Sequence, residues 1–160
     1  MGQNDIRGAL ESLPLPVTVV TVGRGGVENG LTVSWLSRAS FEPPMVVFAV
    51  DKRHYSEELI RSTRTFVVNV LAEDDKKLAG LFARQAISGE DKFQGLQTSQ
   101  APSGGKVLDE ALAWLDCEVE AIHPAGDHLL VLGKVVDASV KRQGPALTTA
   151  SGLHYKKSKP

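Results

Sequence analysis

Cysteine is almost missing from this chain. Cys117 is the only one in 160 residues, which excludes a disulfide framework and a thiolate metal cluster. An excess of positive charge is missing as well: 18 Lys and Arg stand against 19 Asp and Glu, for a formal net charge of −1. With no basic arm or stripe, nucleic acid is not an expected partner. Long apolar runs are absent too. The longest is Met45–Val50, far short of the roughly 20 residues that cross a bilayer, so no membrane partner is expected. The N-terminal residues Met1-Gly2-Gln3-Asn4-Asp5 lack the basic and apolar segments of a signal peptide, and a cytoplasmic protein is the default expectation.

Several catalytic signatures are also lacking. His54, His123, His128 and His154 are scattered, with no two at helical i, i+4 spacing, so no metal site is expected. There is no nucleophile elbow and no Lys-Ser/Thr pair of a phosphate-cradling loop. Val22-Gly23-Arg24-Gly25-Gly26 follows a strand pattern, but it lacks the third glycine of a dinucleotide fingerprint and leads into strand residues instead of a helix. It reads as a hairpin loop. Cys117 alternates with acidic residues and reads as a small core side chain.

What is present is β structure. Apolar residues make up 42% of the chain, enough for a core without staples, and no composition shift or repeat divides residues 1–160, so a single domain is expected. Asn4–Leu13 reads as a short helix stopped by Pro14 and Pro16, and Val17–Val22 as a β-branched strand. Asn29-Gly30 supplies turn chemistry before a second strand, Leu31–Trp35, giving a hairpin with a long loop. Met45–Val50 reads as a strand buried on both faces, Tyr55–Ile60 as a helix, Thr65–Leu71 as a strand and Glu73–Ala86 as an amphipathic helix. Ile87–Lys106 has little periodicity and reads as a long loop, usually a functional or mobile feature. Leu115, Cys117, Val119 and Ala121 then alternate with Asp116, Glu118 and Glu120; Pro124-Ala125-Gly126-Asp127 turns, and His128–Ala138 returns as a long strand. Successive strands with few helices imply a mainly β barrel or sandwich. A parallel sheet fits less well, because no helix separates the first two strands.

Two segments can carry chemistry. Gly30-Leu31-Thr32-Val33-Ser34-Trp35, continuing to Ala39-Ser40-Phe41-Glu42-Pro43-Pro44, packs hydroxyls, small residues and a Trp along one strand and its exit. A flat heteroaromatic ligand with a phosphate tail needs such a surface. Asp51-Lys52-Arg53-His54-Tyr55-Ser56 places two cations and a hydroxyl at a strand-to-helix junction, where free N–H groups favour a phosphate. A solvated turn with ordinary surface charge fits the same residues, and Trp35 on a strand also fits a core aromatic.

These segments, in this order, resemble the flavin reductase-like family of FMN-binding split barrels. Further matches are Phe66-Val67-Val68-Asn69-Val70-Leu71, Gly89-Glu90-Asp91-Lys92-Phe93 and Gly126-Asp127-His128, so the series runs from about Leu13 to Ala138. The resemblance implies a Greek-key split β-barrel with non-covalent FMN (or FAD), usually in a homodimer with sites near the subunit interface. It implies an NAD(P)H:flavin oxidoreductase that uses NADH or NADPH and serves free flavin or a monooxygenase partner. The alternative it offers is a flavoredoxin-like electron carrier without its own nicotinamide site. Carried over, Thr32, Val33, Ser34 and Trp35 would lie along the isoalloxazine and ribityl chain, with Ser40 and Phe41 near ring or tail. Lys52, Arg53 and Ser56 would hold the phosphate, Lys92 and Phe93 would close over the flavin, and His128 would be the catalytic candidate near the nicotinamide. The segment from Gly152 to Pro160 is short against the family pattern and leaves the nicotinamide side open. Hydride transfer to a flavin needs no protein acid or base, so the missing acid–base pair is compatible with this chemistry.

Overall fold

The structure, a computed structural model, describes residues 2–84 and 90–151. The helix α1 spans Gln3–Glu11 and is followed by strands β1 (Thr18–Arg24), β2 (Val27–Val33), β3 (Leu36–Ser40) and β4 (Met45–Asp51). Next come helix α2 (Ser56–Thr63), strand β5 (Thr65–Val70) and helix α3 (Lys76–Ala83). Two short strands, β6 (Thr98–Gln100) and β7 (Lys106–Leu108), pair with each other. The long strands β8 (Ala113–Ala125) and β9 (His128–Val140) complete the set.

Seven strands form one antiparallel sheet in the order β2-β1-β5-β8-β9-β4-β3. Its two edges, β2 and β3, are consecutive in the chain and joined only by Ser34 and Trp35. Laid flat, the edges would stand roughly 29 Å apart at about 4.8 Å per strand spacing. The three steps from Val33 to Leu36 reach no further than about 11 Å. The sheet must therefore curl until its edges meet, without ladder hydrogen bonds between them. This is the mainly β split barrel that the sequence led us to expect.

The inside of the curl is filled by Val20, Val22, Leu31, Val33, Val46, Phe48, Phe66, Val68, Cys117 and Val131, and α2 adds Leu59 and Ile60. Outside it, α3 buries Leu78, Ala79 and Phe82 against Val17 and Val19 of the β1 segment, together with Phe93, Leu108 and Leu147. Strand β1 is thus covered on both faces. Buried polar groups tie the layers. Asn69 donates from Nδ2 to the Val19 carbonyl (3.0 Å) and accepts the Leu108 N–H on Oδ1 (2.8 Å). The buried Asp116 carboxylate accepts from the Ser103 N–H (2.9 Å) and hydroxyl (2.6 Å). At the ends of the chain, Pro16 bridges to Thr148 and the Val17 N–H donates to the Leu147 carbonyl (2.9 Å).

Several elements differ from the sequence reading. The first hairpin turns tightly at Gly25 and Gly26, both at positive φ (67° and 90°), as a two-residue turn of that hand requires. Asn29-Gly30, read as turn chemistry, lies inside β2. Gly30 is needed there for packing, since a Cβ would meet the Phe82 ring at 2.6 Å. The segment read as one strand and its exit is split between β2 and β3 by the Ser34–Trp35 crossing. The second long hairpin turns only at Gly126-Asp127, with Pro124 and Ala125 still paired in β8. Within the stretch read as a loop, β6 and β7 are present, while residues 85–89 and the end of the helix read to Ala86 lie outside the described residues.

Gly133 faces Phe66 so closely that a Cβ would sit 2.3 Å from its Cζ. Gly133→Ala is expected to cost about 1–3 kcal/mol through overpacking. The check is a lower urea midpoint at unchanged m-value.

Candidate functional site

The seam where the barrel's edges meet gathers five of the candidate residues: Ser34, Trp35, Lys52, Arg53 and His128. Ser34 and Trp35 form the crossing itself. Trp35 is anchored by its backbone, whose carbonyl accepts the Ala49 N–H of β4 (2.9 Å), while its side chain is 58% exposed. Its indole lies against the imidazole of His128 with ring centroids 4.7 Å apart, tilted by 37°. His128 begins β9, and the β4–β9 register sets it opposite Asp51. Its Nδ1 lies 2.6 Å from Asp127 Oδ1, which fixes Nδ1 as the donor nitrogen.

The cations follow from the same register. Lys52 donates its N–H to the Asp127 carbonyl (3.2 Å), tying the strand exit to the β8–β9 turn, and its side chain is exposed. Arg53 folds back on Asp51: its backbone N–H donates to Oδ1 at 2.8 Å, and its guanidinium reaches Oδ1 at 3.3 Å and Oδ2 at 3.2 Å. These hydrogen bonds hold the Asp51 carboxyl below its usual range, and the bond from His128 does the same for Asp127. Both pairs are solvent-facing, so they contribute little stability and serve mainly to hold geometry.

Ser34 is the telling residue. It is 5% exposed, and its Oγ has no hydrogen-bond partner among the described residues. A buried hydroxyl left unpaired costs about 1–3 kcal/mol, so an atom that pairs with it from the seam is favoured by that amount. A ligand edge carrying donors and acceptors, with a flat ring beside Trp35 and an anionic tail toward Lys52 and Arg53, fits this donor set.

Other candidates lie elsewhere. Val33 is buried inside the barrel, and the Thr32 hydroxyl donates to the Ala79 carbonyl of α3 (2.6 Å). Ser56 is fully buried, with its Oγ accepting from Asn29 Nδ2 (3.0 Å). Lys92 is 4% exposed, and its ammonium donates to the carbonyls of Gly30 (3.2 Å) and Arg84 (2.6 Å), while desolvation pushes its pKa down. Phe93 packs on Phe82 with centroids 5.3 Å apart. Ser40 and Phe41 stand at the far end of β3 with Arg38 and Ala39, around a groove of about 190 Å³. Gly89 and the segment from Gly152, including His154, lie outside the described residues. Sequence reasoning passed over Asp51, Asp127 and Arg38. The first two had a signal, each being an acid beside a cation or imidazole at a strand end. Cys117 is buried, with its thiol pushed up to about 12, and is inert as read.

With this geometry in place, the comparisons with known proteins agree. Residues 10–158 match the flavin reductase like domain, and the chain belongs to that family. It is 37% identical over 143 residues to the actinorhodin polyketide dimerase of Streptomyces coelicolor, covering 89% of this chain and 79% of that one. It is 34% identical over 142 residues to a flavin reductase of Pseudomonas putida, covering 88% and 82%. Its fold superposes with a TM-score of 0.85 on the Streptomyces globisporus NADH:FAD oxidoreductase SgcE6, solved in complex with NAD and FAD fragments, at 27% identity over 98% of this chain and 93% of that one. The chain also matches diflavin flavoproteins such as Diflavin flavoprotein A 1 of Synechocystis (31% identical), but spans only about a quarter of their length (26%).

His54 lies behind the cations, its Nδ1 accepting the Ser56 N–H (3.1 Å). Desolvation first, and then the charge of Lys92, push its pKa below the ordinary 6.5, against a smaller opposing effect of Asp51. The unfolded chain therefore binds more protons than the folded one just below pH 6.5, and stability rises with pH there. Its contribution is complete above pH 6.5 and is lost as pH falls toward the folded value. His54→Gln is expected to flatten the acid side of the curve, read as urea midpoints from pH 7.5 down to 5.

Proposed function

We infer that this chain is a flavin reductase, an oxidoreductase that binds FMN non-covalently at the barrel seam, with FAD as the alternative flavin, and takes NADH or NADPH as hydride donor. The buried, unpaired Ser34 hydroxyl beside the exposed Trp35–His128 pair carries the reading. When bound, the flavin would supply two-electron redox chemistry between a nicotinamide and an acceptor. The residues of the chain bind and orient. Ser34 pairs with the ring edge, and Trp35 offers the ring a flat wall. Lys52 and the start of α2 receive the phosphate, joined by Arg53 when its guanidinium turns from Asp51. His128, its Nδ1–H held by Asp127, borders the face where the nicotinamide arrives.

Thr32, Val33, Ser56, Lys92 and Phe93 support this surface from behind. Lys92 holds the Gly30 carbonyl of β2, and Phe93 packs under α3. A homodimer is part of the proposal, because α1 shows Ile6 and Leu10, and β9 shows Val136 and Val140, as exposed apolar side chains. The electron acceptor is free flavin or a monooxygenase partner, in the cytoplasm. Likeness to a segment of the diflavin flavoproteins favours the flavoredoxin-like carrier as the second reading.

Purified protein is expected to be yellow, or to turn yellow with added FMN, and to bleach anaerobically with NADH or NADPH. Bleaching by dithionite but by neither nicotinamide selects the electron carrier, and failure to bind any flavin rejects both. Replacing Lys52 and Arg53 together by Ala should weaken FMN at least tenfold while leaving riboflavin nearly unchanged, measured by flavin fluorescence quenching. Equal losses would remove the phosphate assignment.

A further inference from the structure

Arg38 and Phe41 stand three residues apart at the end of an edge strand, a spacing that puts side chains on opposite faces when alternation is regular. Here the alternation is broken. Arg38 pairs with Val46 and Ser40 with Met45, leaving Ala39 as an extra residue in the ladder. A bulge of this kind re-aims the side chains around it. The Arg38 guanidinium lies 4.5 Å from the centroid of the Phe41 ring. Phe41 is nevertheless 81% exposed, so the guanidinium covers part of the ring and the rest faces solvent.

With Ala39 and Ser40 the pair lines the groove of about 190 Å³. That is below the roughly 300–1,000 Å³ of a site for a whole small-molecule ligand, and fits one fragment of a larger molecule. A solvent-facing aromatic ring with a cation on it stacks a nucleobase and holds the phosphate next to it. A hydrocarbon fragment would use the ring and leave the cation idle. The groove is also placed for an extended ligand. It lies at the far end of the edge strand β3 that Trp35 leads into, with Phe41 six residues from Trp35, or at most roughly 20 Å at about 3.3 Å per residue.

We propose that Arg38 and Phe41 form an adenylate subsite, in which Phe41 stacks on the adenine and Arg38 pairs with the adjoining phosphate of a dinucleotide whose redox ring lies at the barrel seam. The proposal rests on the flavin reductase reading. It commits to the group that FAD and NAD(P)H share and FMN lacks.

Phe41→Ala and Arg38→Gln change exposed side chains, and circular dichroism and urea midpoints confirm that each variant folds. In each, the affinity for FMN should stay within twofold of wild type. Either the FAD dissociation constant or the KM for NADH should rise about tenfold, the loss of one stacked base. A rise for FAD identifies the adenylate as the flavin's, and a rise for NADH as the nicotinamide dinucleotide's. AMP alone should inhibit the wild type competitively against the affected ligand and the Phe41→Ala variant much less. Unchanged FAD and NADH constants overturn the subsite, as does an equal loss for FMN and FAD. So does conversion of a dimer to monomer with ligand constants unchanged, which would make the patch an interface. Failure of wild type to bind FMN strikes the flavin reading alone. The subsite is then judged by AMP titration with tryptophan fluorescence, where no AMP effect overturns it too.

Discussion

Two residues govern this fold. Because only Ser34 and Trp35 separate the edge strands β2 and β3, the seven-stranded sheet cannot lie flat, and closure follows from chain connectivity before any side chain packs. The interior apolar set then fills the space that the curl encloses, and α2 contributes Leu59 and Ile60 to it. The crossing has a second effect. Edges brought together without a ladder between them leave backbone and side-chain polar groups at the seam that a closed barrel would have paired. The unpaired Ser34 hydroxyl is the clearest of these. The same short link that closes the barrel therefore creates the seam on which the proposed flavin site rests.

Electrostatics at the seam are organised by strand register. Asp51 faces His128 across β4 and β9, and Asp127 closes the hairpin beside it. The two carboxylates do different work: one holds the Arg53 guanidinium, the other sets the imidazole tautomer. Because each pair has a solvent-exposed member, Arg53 in one and Asp127 in the other, the arrangement positions charge more than it stabilises the fold. Lys92 behaves differently. Its burial is a desolvation cost, met by the carbonyls of Gly30 and Arg84 and by the nearby charge of Glu90.

Legibility in the sequence followed the length of the signal. The alternation around Cys117 runs long enough to mark β8, and the apolar run Met45–Val50 lies within β4, because core contacts there repeat with the period of a strand. Strands β6 and β7 are three residues each and too short for any period to show. Glycine misled at one point, since Gly30 answers to the Phe82 ring and not to a turn, a distinction that only tertiary packing makes. Among the candidate residues, the exposed place of Lys52 and Arg53 was legible because they follow a strand exit where a solvent-facing run begins. The burial of Lys92 was not, because it depends on the Gly30 carbonyl of β2, remote in sequence, as well as on the Arg84 carbonyl at the end of α3. The bulge at Ala39 was equally hidden, as it depends on the partner strand's register.

The bridge between Pro16 and Thr148 sets the segment entering β1 beside the segment that follows the last strand. A unit whose entrance and exit adjoin can be spliced between other folded units with little stretch of linker and little added closure entropy. A barrel entered and left at one place can thus be carried within a longer chain without rebuilding its seam.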